Sequence, residues 1–278
     1  MPNPSPSQAP SPSALPTLAP DAPPVGGPPQ RLLDGVTVVL PAYNEEENLA
    51  EAVRAAIAAA EQVSRRQEIV VVDDGSQDGT AALAAALAAM DSRVRLVRHE
   101  GNRGYGCAVR SGIGAARMEW VLLTDADLQF DLSQLTDFAA HTADAQLVVG
   151  YRAKRSDPLI RRLNAGGWNA LVRVLFHLPV RDVDAAFKLI RRDALDGLDL
   201  ISTGAAIDTE LLAKATRRGA RIVELPVLHR PRIAGEPSGA DLHVIVRAFG
   251  EVFKVWRSIH LHGRLGPPLE PASQPPCG

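Results

Sequence analysis

Residues 120–129 read Trp-Val-Leu-Leu-Thr-Asp-Ala-Asp-Leu-Gln, a short apolar run that turns abruptly into acids and an amide. A run of this kind, bounded by a polar cluster, is how a strand buried on both faces of a parallel sheet reads. If the chain stays extended past Thr124, then Asp125, Asp127 and Gln129 point to one side, because strand side chains alternate. Three oxygen-bearing side chains at the end of a buried strand suit a hard cation such as Mg²⁺, which keeps coordination places for substrate phosphates. Taken alone, residues 125–129 read equally well as the acidic mouth of a solvated loop.

The same punctuation recurs on both sides. Val36–Leu40 is a buried-strand run ended by Pro41 and followed by Tyr43, Asn44 and Glu45. Ile69–Val72 runs into Asp73, Asp74 and Gly75, and Gln146–Gly150 runs toward Arg152. Val94–Val97 is a further short strand. Between these lie helical patterns over Thr80–Met90, Gly106–Arg117 and Leu132–His141. Another is predicted to start at Asn44 as its N-cap and to reach about Ala60, with Glu45, Glu46 and Glu47 favouring its positive end. Strands alternating with helices, each strand nearly all apolar, predict an α/β domain with a mostly parallel sheet covered on both faces. Ligands of such sheets sit outside the carboxyl ends of the strands. Four polar clusters at that one edge mark an active-site rim.

Past Arg152 the pattern changes. Arg152, Lys154, Arg155, Arg161, Arg162 and Arg173 face one acid, Asp157, and between them runs an apolar helical series from Leu159 through Trp168 to Phe176. Phe187–Ile190, a helix near Asp208–Arg218 and a strand near Arg221–Leu225 follow. The last helix, about Asp241–His260, is amphipathic. Both amphipathic helices have two readings: they cover the sheet, or they lie in a membrane interface. The first is read as membrane-proximal because its arginines have few sequence-local acids, although Asp182, Asp184 and Asp193 could pair some of them.

The chain has 278 residues and a formal charge of −2, which argues against a nucleic-acid partner. Two cysteines, Cys107 and Cys277, make no disulfide framework and fit a reducing compartment. The first thirty residues are rich in Pro, Ser and Ala, contain no Lys or Arg, and lack the marks of a secretory signal. They are read as a disordered arm over residues 1–30, ahead of a domain over 31–262 and a flexible tail over 263–278. No stretch approaches the ~18 uninterrupted apolar residues of a membrane span. The expectation is a cytoplasmic protein, peripheral on the cytoplasmic face of a membrane. Oligomeric state is not legible.

Taken in order, Leu40-Pro-Ala-Tyr-Asn-Glu-Glu46, Val72-Asp-Asp-Gly-Ser-Gln-Asp-Gly-Thr80, Asn102-Arg-Gly-Tyr-Gly106 and Asp125-Ala-Asp-Leu-Gln129 resemble the inverting family 2 glycosyltransferases. Gly150-Tyr-Arg152, Asp184-Ala-Ala-Phe-Lys-Leu189 and Arg232-Ile-Ala-Gly-Glu236 resemble its polyprenyl-phosphate branch, which includes the dolichol-phosphate mannose and glucose synthases. The resemblance runs from Val36 to Trp256. It implies the GT-A fold, a Rossmann-like arrangement, and transfer of a hexose from GDP-mannose or UDP-glucose to a polyprenyl phosphate. By the same resemblance Pro41, Tyr43, Glu45, Val72 and Asp74 meet the base and ribose, and Asp125 and Ala126 lie along the ribose and diphosphate. Asp127 and Gln129 hold Mg²⁺ or Mn²⁺, and Arg152 and Arg232 contact phosphate, with Asp127, Arg152 and Arg232 the catalytic set. Mannose synthases follow the late Gly-Glu with Ser-Lys where this chain has Pro237-Ser238, so that lysine's phosphate contact is either missing or supplied by another residue, Lys188 or Arg230, which leaves the sugar identity open.

No His or Cys is placed as a base or nucleophile, and His99 and His177 read as surface or packing residues. A phosphate acceptor needs no base, since its second pKa of about 6 leaves it largely dianionic at neutral pH. Other readings stay open: a saccharide or small-molecule acceptor, or a nucleotide-sugar-binding module without turnover. Gly101, Gly104 and Gly106 hint at a dinucleotide loop, but that fingerprint belongs directly after the first strand with tighter spacing. A nucleotidyltransferase would open with a glycine-rich loop, and this chain has Pro-Ala-Tyr-Asn there.

Overall fold

The computed structural model describes residues 32–153, 159–231 and 242–261, without the side chains of 159–166 and 242–248. The arm 1–30, the tail 263–278, Lys154, Arg155, Asp157, Arg232 and the stretch from Gly235 to Ser238 lie outside the described residues.

Seven strands form one sheet: β1 (Leu33–Ala42), β2 (Ser64–Asp73), β3 (Val94–Arg98), β4 (Trp120–Thr124), β5 (Leu147–Arg152), β6 (Phe187–Arg191) and β7 (Ile222–Val227). Their order is β3-β2-β1-β4-β6-β5-β7. All run parallel except β6, which is antiparallel to both β4 and β5. The α/β expectation holds, and the reversal of β6 is new, because an apolar run carries no sign of its direction.

Alternation along each strand splits the core in two. Val38 and Leu40 of β1, with Ile69 and Val71 of β2 and Leu122 of β4, pack on one face. There they meet α1 (Glu46–Val63), α2 (Thr80–Met90) and α4 (Leu135–Ala139) through Leu49, Val53, Ala56, Ala84 and Phe138. Val39, Val70, Val72, Val121 and Leu123 point to the other face. That face is covered by α3 (Tyr105–Ala115), α5 (Leu159–Phe176), α7 (Ala206–Arg217) and α8 (Leu242–Leu261). A single turn, α6 (Arg192–Leu195), follows β6.

Three local expectations change. Asn44 does not cap α1, which begins at Glu46 without a side-chain cap. Its backbone is left-handed (φ 55°), and its Oδ1 accepts from the Gln77 amide at 2.8 Å, so it ties the β1–α1 loop to the β2–α2 loop instead. The pattern over 132–141 resolves into a 3-10 turn at Leu132–Gln134 and the short α4. For α8 the covering of the sheet is partial: Val252, Val255 and Ile259 are buried in the core, while Phe249 and Phe253 are 48% and 58% exposed.

Candidate functional site

The chain steps from β1 outward to β2 and β3, then crosses back to place β4 on the opposite side of β1. The crevice between the carboxyl ends of β1 and β4 is therefore the switch point at which open α/β sheets bind ligands. The strand ends are flush there: Pro41 pairs with Val72, Ala42 with Asp73, and Val39 with Leu123. Tyr43 stands 40% exposed at the mouth, while Glu45 is buried and accepts from Asn48 Nδ2 at 2.7 Å.

Asp74 is buried just past β2, and its carboxylate faces protein donors. Oδ1 lies 2.6 Å from His99 Nδ1 and accepts from the Arg103 amide at 3.0 Å, while Oδ2 accepts from the Gly104 amide at 2.8 Å. The other ring nitrogen of His99 is 2.9 Å from Ser111 Oγ. His99 is thus a buried hydrogen-bonded link, more specific than the packing residue expected, whereas His177 is exposed. Asp74 thus organises the loop that carries Arg103 and Gly104.

Gly75 shows how closely these loops approach. It has φ +72°, and a Cβ there would lie 2.3 Å from the Gly101 carbonyl carbon. Gly75→Ala is expected to destabilise the protein by at least about 2 kcal/mol, combining left-handed strain with overpacking against backbone. Gly101→Ala, whose added Cβ meets nothing within 4 Å, is the matched control and should be near neutral. Chemical denaturation of both variants checks this; equal stabilities would show that the two loops part readily.

Beyond Thr124 the chain turns, with Leu128 left-handed at φ 61°, and the Gln129 amide donates to Asp127 Oδ1 at 3.1 Å. The extended alternation expected for 125–129 is therefore not how these side chains are arranged. The turn carries Asp127 to a buried position, and Phe130 resumes pairing in a bridge with His229. Gln129 Nε2 donates to the Arg230 carbonyl at 3.3 Å.

Asp125 lies beside two further carboxylates. Burial, then the charges of Asp127 and Asp208, push its pKa well above the carboxylate range, against a hydrogen bond with Tyr105 and the charge of Lys188. Tyr105 is pushed up in turn by burial and by Asp125 and Asp208. Neither Tyr105 nor Asp208 carries a sequence signal of this role; α3 and α7 deliver them from 20 and 83 residues away in the chain.

Because β6 runs backwards, the segment before it also arrives at this rim. Asp182 holds Arg152 with two parallel bonds, 2.7 Å from Nε and 2.8 Å from Nη2. Asp184 accepts from Trp168 Nε1 at 3.3 Å, and burial, then Asp208 and Asp182, raise its pKa to about 6 against Lys188 and Arg152. Lys188 is fully buried, bonded at 2.7 Å to both Asp208 Oδ1 and the Ala185 carbonyl. Arg230 pairs with Asp131 at 2.6 Å. Both expected lysine substitutes thus have protein partners, and Lys188 is enclosed. Asp193 pairs with Arg191.

The donor set fits a divalent cation. Burial first, then the charges of Asp127 and Asp208, lift the pKa of Asp125, and a dication would offset the charge part of that shift. Among the described residues no three Asp, Glu, His or Cys side chains close into a protein-only metal cage. A cation here would complete its shell with phosphate oxygens and water, as Mg²⁺ does in nucleotide sites.

Comparison with known proteins supplies the family. An uncharacterized glycosyltransferase of Mycobacterium tuberculosis is 37% identical over 207 residues, covering 73% of this chain and 88% of that protein. The undecaprenyl-phosphate 4-deoxy-4-formamido-L-arabinose transferase of Sodalis glossinidius is 33% identical, covering 73% of this chain and 62% of its own length. The chain spans 38% of the length of another curated relative. The crystal structure of glucosyl-3-phosphoglycerate synthase from Mycobacterium tuberculosis in complex with UDP superposes with a TM-score of 0.61 at 21% identity. That match covers 85% of this chain and 82% of the other, and it shows the shared GT-A fold. Residues 37–199 match the sequence profile of Glycosyl transferase family 2. Acids gathered at the switch point, a mixed α/β sheet of this order and that profile converge: the chain is a glycosyltransferase of family 2.

Proposed function

We propose that the protein transfers a hexose from a nucleoside-diphosphate sugar, GDP-mannose or UDP-glucose, to a polyprenyl phosphate, with inversion and with Mg²⁺ or Mn²⁺ bound. The observation that carries this reading is the place of Asp125 and Asp127 just past the end of β4, at the switch point beside β1, within the stretch 37–199 that matches the family 2 profile. The acceptor class is supported by similarity to the Sodalis protein, whose name states an undecaprenyl-phosphate substrate.

In this reading Pro41, Tyr43, Glu45 and Val72 line the base and ribose, with Asp74 shaping the adjoining loop. Asp125 and Ala126 run along the ribose and diphosphate. Asp127 and Gln129 hold the ion, which when bound stabilises the charge of the departing diphosphate. An acceptor phosphate oxygen attacks the anomeric carbon from the opposite side, and the bond from that carbon to the donor phosphate breaks. Arg152 meets phosphate with a guanidinium whose plane Asp182 already fixes, so little orientation is lost on binding. Arg232, outside the described residues, is assigned the second phosphate contact.

A polyprenyl tail has to be met at a membrane, and we place that contact, on the cytoplasmic face, at α5 and α8. Leu171, Val174, Phe249 and Phe253 are exposed there, beside Arg173, Lys254 and Arg257, which suits an anionic interface. No described helix is long and apolar enough to cross a membrane. Flotation with anionic vesicles is expected to carry the protein upward; protein left at the bottom would dismiss the membrane contact.

The function test offers separate nucleotide sugars with Mn²⁺ and a short polyprenyl phosphate, followed by mass spectrometry of the organic phase. A lipid product one hexose heavier is expected. Donor binding without lipid product would move the search to saccharide or small soluble acceptors. Donor binding with no turnover on any acceptor would point to a binding module.

A further inference from the structure

The first turn of α3, which brings Tyr105 to Asp125, is gripped by backbone on two sides. On one side Asp74 takes the amides of Arg103 and Gly104. On the other lies the loop ahead of α7. The Gly106 amide donates to the Thr203 carbonyl at 2.9 Å. A Cβ on Gly104 would stand 2.5 Å from that same oxygen, and one on Gly106 would stand 2.8 Å from the carbonyls of Ser202 and Gly204. With no side chain between the two backbones, a shift of the loop becomes a shift of α3.

Two buried carboxylates hold this loop. Glu210 of α7 accepts from the Ile201 and Ser202 amides and is neutralised by Lys214. Glu251 of α8, 8% exposed, accepts from Thr203 Oγ1 at 2.9 Å and from the Gly204 amide at 3.1 Å. It is the single acid among residues 242–261, and it sits beside Val252 and near Val255, both buried. Core packing calls for no charge at that place, and burying one is costly unless its hydrogen bonds matter. Two donors it serves, Thr203 Oγ1 and the Gly204 amide, belong to the loop that seats α3.

We propose that Glu251 is a positioning residue for the donor site: by holding Thr203 and Gly204 it seats the first turn of α3, and so Tyr105, against Asp125. The proposal rests on the glycosyl-transfer reading of that site. It separates α8 into an outer face bearing Phe249 and Phe253 and an inner carboxylate that acts on the donor pocket.

The test is calorimetric titration of the full chain with UDP and with GDP in the presence of Mn²⁺, followed by steady-state kinetics with the donor identified. Glu251→Ala is expected to weaken nucleotide binding about tenfold and raise donor KM in step, with acceptor KM within about twofold of wild type. Glu251→Gln, which keeps one acceptor oxygen, should recover most of that loss. Thr203→Val removes one donor at constant size, should weaken binding about threefold, and carries the test if Glu251→Ala does not fold. Unchanged nucleotide affinity in the folded variants, or donor and acceptor KM rising together, overturns the proposal alone. A wild-type protein that binds neither nucleotide removes the GDP- or UDP-sugar donor reading and the proposal with it.

Discussion

Asp127→Ala is expected to lower turnover by at least about a hundredfold, the scale on which loss of a preorganised charge-stabilising contact slows an enzyme. Asp127 is buried at the turn after β4, and its carboxylate is one of the two whose charge raises the pKa of Asp125. Removing it takes away a proposed cation ligand and also relieves Asp125. The variant should therefore stay folded, with a thermal midpoint within a few degrees of wild type. Turnover measured against Mn²⁺ concentration separates the outcomes. A large rise in the metal needed for half-maximal rate, with low turnover at saturation, supports the assignment. Near-normal rates at ordinary metal concentrations would move the cation to Asp125 and Asp208.

The largest stability effect is expected at Lys214. Glu210 and Lys214 lie one turn apart on α7, 2.6 Å from each other and with both side chains fully buried. Lys214 Nζ also donates to the Asp199 carbonyl. Lys214→Met keeps the length and apolar stem of the side chain but leaves Glu210 charged and enclosed. Breaking one partner of such a pair costs about 3–5 kcal/mol, a large share of the ~5–15 kcal/mol that holds a domain folded. Denaturant titration of wild type and variant reads this directly. A loss below about 1 kcal/mol would show that the amides of Ile201 and Ser202 suffice for Glu210, since hydrogen bonds to a charged group are worth roughly that much or more.

The sheet was legible in the sequence because its inner strands are short runs dominated by Val, Ile and Leu, broken only at Thr37 of β1 and Lys188 of β6, and the rim because the runs of β1, β2 and β4 lead into acids or amides and that of β5 into Arg152. Pro41, Val72 and Ala126 fall where the rim was expected. The arrangement of the site was less legible. Asp125 and Asp127 do share a crevice, but through a turn, and no extended strand links them. Asn44 prefers a neighbouring loop to the helix it precedes. Asp208 is an ordinary first-turn acid of a helix until tertiary packing sets it beside Lys188 and Asp125, and Tyr105 is hidden among glycines that looked like a phosphate loop. Gly104 and Gly106 serve backbone contact with residues 202–204, a pairing that local sequence cannot announce.

The reversed strand β6 sets a dimension. Inserted between β4 and β5 and hydrogen-bonded to both, it keeps Asp125 and Arg152 two strand spacings apart, about 10 Å. Under the proposed transfer, that separation would set the distance between the donor diphosphate and a phosphate met by Arg152, and two ladders would have to unzip before it could change.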